Sequence, residues 1–254
     1  CIGVVDECGV CNGPGATEVV IESVTLLYDS VYAEAIDNWF VFEVGADTAF
    51  TYVCPNVFQS CGDPVSHEGY DFSTVLIGYQ CWFSENCRYL PEVSPSNEGN
   101  ETDPYYYVYG YEGTDVVAAQ ATDNYETYGV LYNWPAVMTE GICPSDWHIP
   151  TDGEWQTMEI SLGMSDSEAA GGGFRGTDEG YQMKSFSGWN SGGNGSNSSG
   201  FNGLPGGYRY FGDFNSNGYG GYWWSASDAG SYSWLRRLDL SHDDVYRDYD
   251  NRYN

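Results

Sequence analysis

The sequence has few basic residues. Eight Lys and Arg stand against 37 Asp and Glu in 254 residues, which gives a formal net charge of −29. Such a charge repels phosphate groups and anionic membrane surfaces, so we expect neither nucleic acid nor a lipid surface as a partner. No apolar run approaches the roughly 18 residues that a membrane-spanning helix needs, and we therefore expect no membrane span.

Histidine is scarce too, with only His67, His148 and His242. None of them lies in a recognisable catalytic motif, and the GxSxG motif of hydrolases is absent, so the sequence predicts a protein that is not an enzyme. His148 stands between Trp147 and Ile149. No second His or Cys stands at ligand spacing near it, which favours a core histidine over a metal ligand.

One stretch, DFNSNG at 213–218, matches the first half of a calcium-binding EF-hand loop. The twelfth position of such a loop requires a bidentate acid, and here that position is Trp224. We interpret the stretch as a hairpin turn rich in Asn and Gly. The sequence accordingly predicts no metal site and no cofactor, with calcium as the weaker alternative.

Glycine and tyrosine are abundant, with 33 and 23 residues. Aromatic and turn residues favour short strands and long ordered loops over helices, so the composition predicts a β-rich α+β fold. The stretch 188–200 is rich in Gly, Ser and Asn and has almost no apolar residues. It is predicted to be a long surface loop.

The eight cysteines lie at 1, 8, 11, 54, 61, 81, 87 and 143. They cluster in short intervals without histidine partners, which favours disulfides in an oxidising compartment over metal sites. We predict two local bridges, Cys54–Cys61 and Cys81–Cys87. Cys8 and Cys11 form a CxxC pair, which we also interpret as disulfide cysteines, because no second CxxC and no thioredoxin-like pattern accompanies them.

The pattern divides the chain into three parts. Residues 1–16 form a cysteine-rich lead-in with the motif DECGVCNG at 6–13. Residues 17–66 form a small β module, with strand-like runs at 18–28, 38–44 and 49–54. A larger domain spans 70–254 and opens with a predicted hairpin at 73–83.

One helix is predicted within the larger domain. Thr151 is placed as its N-cap, with Glu154 three residues later in a capping box. Apolar residues then recur at helical spacing, and Gly163 ends the helix. Downstream, LPGGY at 204–208 predicts a tight turn, and YWWSAS at 222–227 predicts a strand.

Four blocks in this order carry a family resemblance: YGVLYNW at 128–134, ICPSDWHIPTDGEW at 142–155, LPGGYRY at 204–210 and GYWWSAS at 221–227. They resemble the Fibrobacter succinogenes major paralogous domain, a family of bacterial secreted and surface proteins. The resemblance implies a C-type-lectin-like fold over 70–254 and an extracellular or cell-surface location. The DECGVCNG motif is similar to repeats that precede modules in secreted bacterial proteins.

The resemblance also implies several structural expectations. The tryptophans in the blocks are expected to be largely buried: Trp134, Trp147, Trp155, Trp223 and Trp224. In the family the partner of Cys143 is a cysteine on a terminal strand beyond Asn254, so we expect a longer precursor. The calcium signatures of C-type lectins are absent, and calcium-dependent sugar binding is therefore not implied.

The C-terminal segment 228–254 is crowded with Asp, Tyr and Arg, the residue types of adaptable recognition surfaces. In lectin-like folds this region faces the ligand, which makes it the predicted binding surface for a carbohydrate or protein. An alternative is that its charges pair with one another to neutralise an acidic strand. The candidate residues are Tyr232, Arg236, Arg237, Asp239, His242, Asp243, Tyr246, Arg247 and Tyr249.

Two functions follow from these observations. The first is a structural subunit of an extracellular filament or other surface assembly, self-associating through a sheet edge left open by a missing final strand, with residues 18–28 as the donated strand. The second is a monomeric adhesion or receptor module that uses the 228–254 face. An enzyme like the formylglycine-generating fold relatives is a distant third. Three sequons, at Asn100, Asn194 and Asn197, are candidate glycosylation sites.

Overall fold

The computed structural model describes residues 61–253 and, ahead of them, the backbone of five strands. These five are β1 (Ile2–Val4), β2 (Glu18–Ser23), β3 (Leu26–Ala33), β4 (Asn38–Gly45) and β5 (Ala49–Val53). The strands predicted at 38–44 and 49–54 are thereby confirmed, whereas the run at 18–28 is divided between β2 and β3.

The rest of the chain is β-rich α+β with short helices, as predicted. Its strands are β6 (Val65–His67), β7 (Tyr70–Phe72), β8 (Thr74–Ile77), β9 (Gln80–Phe83), β10 (Tyr106–Tyr107), β11 (Leu131–Tyr132), β12 (Gly173–Arg175), β13 (Tyr208–Tyr210), β14 (Asp213–Asn215), β15 (Gly220–Ala229), β16 (Tyr232–Asp239) and β17 (Val245–Asn251). Its helices are α1 (Val116–Gln120), α2 (Asp123–Tyr128), α3 (Trp134–Val137), α4 (Asp152–Leu162), α5 (Asp166–Ala169) and α6 (Glu179–Met183). Within the described residues, no helix has the length and apolar character to cross a membrane.

The largest sheet has four strands in the order β12-β17-β16-β15, all antiparallel to their neighbours. The last strand, β17, is hydrogen-bonded to β12 on one side and to β16 on the other. The edge strands of this sheet are therefore β12 and β15, and self-association through an open edge stays a prediction. The predicted donor strand is engaged, because β2 pairs with β5 of the same chain.

Helix α4 packs beside this sheet and begins and ends as predicted. Thr151 and Glu154 form a reciprocal capping box, in which the Thr151 amide donates to Glu154 Oε2 at 2.7 Å. Gly163 follows the last turn with a φ of 129°, a conformation that favours glycine. Local capping chemistry decides both ends, which is why the sequence alone located this helix.

The main core lies between α4, the β8–β9 hairpin and one face of the sheet. Trp155 of α4 is 2 % exposed, and its ring lies 4.9 Å from that of the equally buried Trp82. Met158 and Leu238 complete the contact between helix and sheet. Aromatic side chains of this size dominate the apolar area that a core buries.

The predicted burial of five tryptophans is confirmed in full only for Trp155. The other four are half-buried, and three of them, Trp134, Trp223 and Trp224, donate hydrogen bonds from their indole nitrogens to distant segments. Trp224 Nε1 donates to the Tyr132 carbonyl at 2.9 Å, and Trp134 Nε1 donates to the Ser225 carbonyl at 3.0 Å. These tryptophans, which donate their indole N–H to another segment, are not fully buried in the core.

The stretch 188–200 is not the plain surface loop that its composition predicts. Trp189 is buried, and its Nε1 donates to Ser185 Oγ at 3.1 Å. Gly193 and Gly195 are buried as well, and a Cβ on Gly195 would lie 2.3 Å from the Tyr181 carbonyl oxygen. Glycine is needed in this stretch for close packing, which composition cannot distinguish from loop flexibility.

The disulfide pairing differs from the predicted one. Cys61 is bonded to Cys81, with 5.7 Å between their Cα atoms, and Cys87 is a thiol. The two local bridges, Cys54–Cys61 and Cys81–Cys87, are therefore wrong. Cys143 is disulfide-bonded, while Cys8, Cys11 and Cys54 lie outside the described residues.

Backbone contacts explain this pairing. The Gly62 amide donates to Thr74 Oγ1 at 2.8 Å, which holds Cys61 against the hairpin that carries Cys81. Cys87 lies beyond the hairpin, where its carbonyl accepts from the Val130 amide at 3.2 Å. Tertiary contacts thus separate two cysteines that are close in sequence.

Peptide mapping without reduction is expected to recover one fragment that links Cys61 to Cys81. Cys87, as a half-buried thiol, is expected to take up an alkylating reagent once the protein is unfolded without reductant. A fragment linking Cys81 to Cys87 would contradict the structure.

Candidate binding cleft

The two faces of the four-stranded sheet have different surroundings: one packs against helix α4, and the other lines a cleft. Successive side chains of a strand point to opposite faces, so Arg236 and Arg237 of β16 are separated by the sheet. Arg236 is fully buried on the helix side, at 0 % exposure. Arg237 is half-buried on the other side, in a cleft.

A buried ion-pair network fills the helix side. Arg236 Nε lies 2.6 Å from Glu159 Oε1, and Arg236 Nη1 lies 2.7 Å from Asp152 Oδ1. Arg175 also bonds to Glu159, and Arg247 Nη2 lies 2.7 Å from Asp152 Oδ2. Three guanidinium groups therefore share two carboxylates of α4 and fix the helix on the sheet.

The charges of this network shift the titration of Asp152. Burial alone would raise its pKa, but the hydrogen bonds and positive charges of Arg247 and Arg236 outweigh burial. Together they lower the pKa of Asp152 from 3.8 to about 2. A carboxylate held in its charged form in this way stabilises the folded state wherever it is ionised.

Acid is expected to remove that stabilisation. Because the folded pKa of Asp152 lies below the unfolded one, its contribution is complete above about pH 4 and is lost as the pH falls through 2. The shift corresponds to about 2 kcal/mol. Urea unfolding of the wild type and of an Asp152→Asn variant between pH 7 and 2 measures it. An equal loss of stability in both proteins would contradict the assignment to Asp152.

The opposite face of the sheet forms one wall of a cleft of about 520 Å³. This volume lies within the range of small-ligand sites, about 300–1,000 Å³. Cross-strand register places the six side chains of this wall in two rows: Tyr222, Arg237 and Tyr246 in one, and Trp224, Leu235 and Asp248 in the other.

Loops and the β13–β14 hairpin form the other wall. Its residues include Asn86, Cys87, Tyr107, Tyr128, Tyr132, Tyr208 and Tyr210. The two walls are in contact, since the Tyr208 ring lies 4.7 Å from that of Tyr222. The cleft is therefore preformed, and its lining includes eight tyrosines and four tryptophans.

Arg237 is the central polar group of the cleft. Its guanidinium lies 5.6 Å from the ring centre of Tyr222 and 5.8 Å from that of Tyr246, and it is paired with Asp239. Its Nε is buried and has no hydrogen-bond partner among the described residues. A buried donor without a partner is costly in an empty site, which favours a ligand or water that accepts from it.

Carboxylates stand beside this guanidinium. The Tyr246 hydroxyl donates to Asp248 Oδ2 at 2.8 Å, and this bond, with burial, raises the pKa of Tyr246. Burial also raises the pKa of Tyr222. Both phenols are consequently neutral donors at physiological pH, next to the carboxylates of Asp248 and Asp250. The excess of acid in the cleft disfavours an anionic ligand.

The nine predicted surface residues do not form one site. Three of them, Arg237, Tyr246 and Tyr249, line the cleft. Arg236 and Arg247 are buried in the ion-pair network, so their assignment to a binding surface is wrong and the pairing alternative holds for them. The remainder lie at the two ends of the sheet, Tyr232 at one and Asp239, His242 and Asp243 at the other.

Most of the cleft residues were missed as site residues. Trp224 was predicted to be largely buried and Tyr222 was assigned to a strand, although alternation along β15 already places both side chains on one face. His148 was predicted to lie in the core and is exposed instead, with Nε2 at 2.9 Å from Glu154 Oε1. Glu154 caps the exposed start of α4, and its contact with His148 keeps the imidazole at the surface.

The remaining candidate sites are placed as follows. The stretch 213–218 was predicted to be a hairpin turn, but its first three residues form strand β14, and the turn of the β13–β14 hairpin lies at 211–212. The described residues contain no group of three or more His, Cys, Asp or Glu side chains arranged for a metal ion. Of the three sequon asparagines only Asn194 is exposed, while Asn100 and Asn197 are half-buried.

The basic residues of the chain are all buried or half-buried. All eight lie in the described part, and none is exposed. Five are buried: Arg175, Lys184, Arg209, Arg236 and Arg247. Carboxylates therefore dominate the charge of the outer surface, more strongly than the composition alone implies.

A comparison with known families identifies the domain. The model of the Fibrobacter succinogenes major domain matches residues 75–254, more than half of the chain. The chain belongs to this family. Membership indicates a surface-type protein, and the Cys61–Cys81 bond of this Fibrobacter succinogenes major domain is compatible with an extracellular or surface location. No curated protein and no solved structure matches the chain.

Proposed function

We propose that this protein is a non-catalytic extracellular binding module with a C-type-lectin-like fold, whose cleft holds a neutral carbohydrate without calcium. The observation that carries the proposal is the preformed aromatic cleft with the unpartnered Arg237 Nε at its centre. Family membership supports the surface location, and the role as an adhesion or receptor module follows from the two together.

The chemistry of the walls suits a sugar ring. The apolar C–H faces of a sugar pack on aromatic rings, as the walls of Tyr222, Trp224 and Tyr208 offer. Its hydroxyl groups both donate and accept, so they match a guanidinium and a carboxylate at the same time. Arg237 and Asp248 supply one group of each kind.

The negative charge of the cleft disfavours acidic sugars and other anions. The cleft is lined by three carboxylates, those of Glu85, Asp248 and Asp250, and by two guanidinium groups. Of these two, Arg237 is already paired with Asp239, and Arg209 donates its hydrogen bonds to Ser96, Glu98 and Tyr253. Neutral hydroxyl groups satisfy these groups without adding negative charge to a chain of net charge −29. A neutral ligand is thus the best match.

The proposal is tested by calorimetric titration with a panel of neutral oligosaccharides built from glucose, mannose, galactose or xylose, with calcium and with a chelator. We expect binding of at least one member in both conditions. Asp248→Asn removes one negative charge from the cleft and is expected to weaken that binding about tenfold, the effect of one lost charge-assisted hydrogen bond.

A matched control is Asp244→Asn, since Asp244 is half-buried, bonds to His242 and does not line the cleft. This variant is expected to bind as the wild type does. Binding that disappears with the chelator would contradict calcium independence. Absence of binding to every sugar in the panel would overturn the carbohydrate proposal.

The structural-subunit function remains a second proposal, with less support. An open edge for strand addition would have to be at β12 or β15, the edge strands of the four-stranded sheet, because β17 is interior. Sedimentation velocity across a range of protein concentrations tests self-association directly, and a constant monomer mass would count against it.

A further inference from the structure

The tip of the β13–β14 hairpin carries two exposed aromatic side chains. Phe211 is 71 % exposed and Tyr210 is 44 % exposed, with 4.5 Å between their ring centres. Tyr210 also lines the cleft, so the pair stands at its rim. Neither ring gives the fold the burial that usually justifies an aromatic residue.

The backbone at this tip is unfavourable for its residue. Phe211 and Gly212 form a two-residue turn with φ values of 46° and 94°. Positive φ at both positions defines the turn type in which Asn-Gly is preferred, and a bulky residue at the first position is an outlier. Strain of this kind, with no packing gain, is typical of functional positions.

The tip is nevertheless held firmly. Ser96 Oγ donates to the Gly212 carbonyl at 2.5 Å, and the buried Arg209 donates from Nε to the Ser96 carbonyl at 2.8 Å. Arg209 Nη2 also donates to the Tyr253 hydroxyl at 2.9 Å, and the Tyr253 ring lies 5.8 Å from that of Phe211. The exposed pair is therefore a preorganised platform, which limits the entropy lost on binding.

We propose that Tyr210 and Phe211 form a second subsite, which binds a further sugar unit of a neutral polysaccharide chain as it leaves the cleft. This inference rests on the proposed function and adds the ligand's form, a chain instead of a single sugar. Continuity supports it, because Tyr210 borders both the cleft and the tip. Charge supports it too, since no exposed cation is available for an acidic polymer.

The test compares the wild type with Phe211→Asn, using a dimer and a hexamer of each sugar in the neutral panel. Asn adopts positive φ readily, so the variant is expected to melt at the same temperature as the wild type or higher. The wild type is expected to bind a hexamer about tenfold more tightly than its dimer, an effect of the size of one aromatic contact. Phe211→Asn is expected to lose this gain and to keep the affinity for the dimer.

Phe186→Asn is the matched control, because Phe186 is 69 % exposed and does not line the cleft. It is expected to bind both ligands as the wild type does. The inference is overturned if the wild type binds dimer and hexamer equally, if Phe211→Asn keeps the hexamer gain, if it weakens dimer binding equally, or if it melts at a lower temperature. Failure of the wild type to bind any sugar would instead overturn the proposed function, and the subsite with it.

Discussion

Replacement of Arg236 by methionine is expected to lower the free energy of unfolding by about 3–5 kcal/mol. Arg236 is fully buried and bonds to both Asp152 and Glu159, whose side chains are almost inaccessible to solvent. Its removal leaves two buried carboxylates short of a positive partner. That penalty exceeds what the apolar methionine gains by burial.

Arg237→Met is the matched control for this prediction. Arg237 is the next residue in the same strand, but its side chain is about one-third exposed and its partner Asp239 lies at the sheet end. Loss of such a pair is expected to cost about 1 kcal/mol or less. Urea unfolding of both variants at neutral pH compares them, and equal losses would contradict the assignment of opposite faces.

Replacement of Trp155 by alanine is expected to cost about 3–5 kcal/mol. Trp155 lies at the centre of the main core, where its ring contacts those of Trp82 and Phe201. Alanine at this position leaves a cavity between helix α4 and the sheet that the preformed backbone cannot close. Thermal and urea unfolding both report the loss.

Trp147→Ala provides the comparison, because Trp147 lies on the edge of a smaller cluster beside Phe83 and is half-buried. Its replacement is expected to cost clearly less than that of Trp155. If Trp147→Ala lowers the free energy of unfolding more than Trp155→Ala does, the assignment of Trp155 to the centre of the main core is contradicted.

Features decided by local chemistry could be predicted from the sequence. The capping box of Thr151 and Glu154 and the glycine at 163 each depend on neighbouring residues, and both were predicted correctly. The family blocks also identified the domain over most of its length. These signals reach over a few residues at a time.

Features decided by tertiary contacts could not be predicted in the same way. The Cys61–Cys81 bond depends on how the segment before β6 meets the β8–β9 hairpin, and sequence spacing does not encode that meeting. Cysteine count alone leaves many pairings open. The shorter interval from Cys81 to Cys87 was therefore a misleading guide.

The prediction of a binding surface was inaccurate for a related reason. The segment 228–254 was read by composition, which does not distinguish the two faces of a strand. Alternation along β16 assigns Trp234, Arg236 and Leu238 to one face and Leu235 and Arg237 to the other. The opposite wall of the cleft comes from distant parts of the chain, such as Tyr132 and Tyr208, and only the fold brings it there.

The most direct test of the central claim, that the open face of the sheet binds a neutral sugar through Arg237, is a calorimetric titration of Arg237→Gln. The titrant is whichever neutral oligosaccharide the wild type binds. Glutamine keeps a polar side chain but removes the guanidinium that carries the unpartnered Nε. The variant is expected to fold and to bind about tenfold or more weakly, the effect of a lost hydrogen bond from a charged donor. An affinity equal to that of the wild type would contradict the central claim.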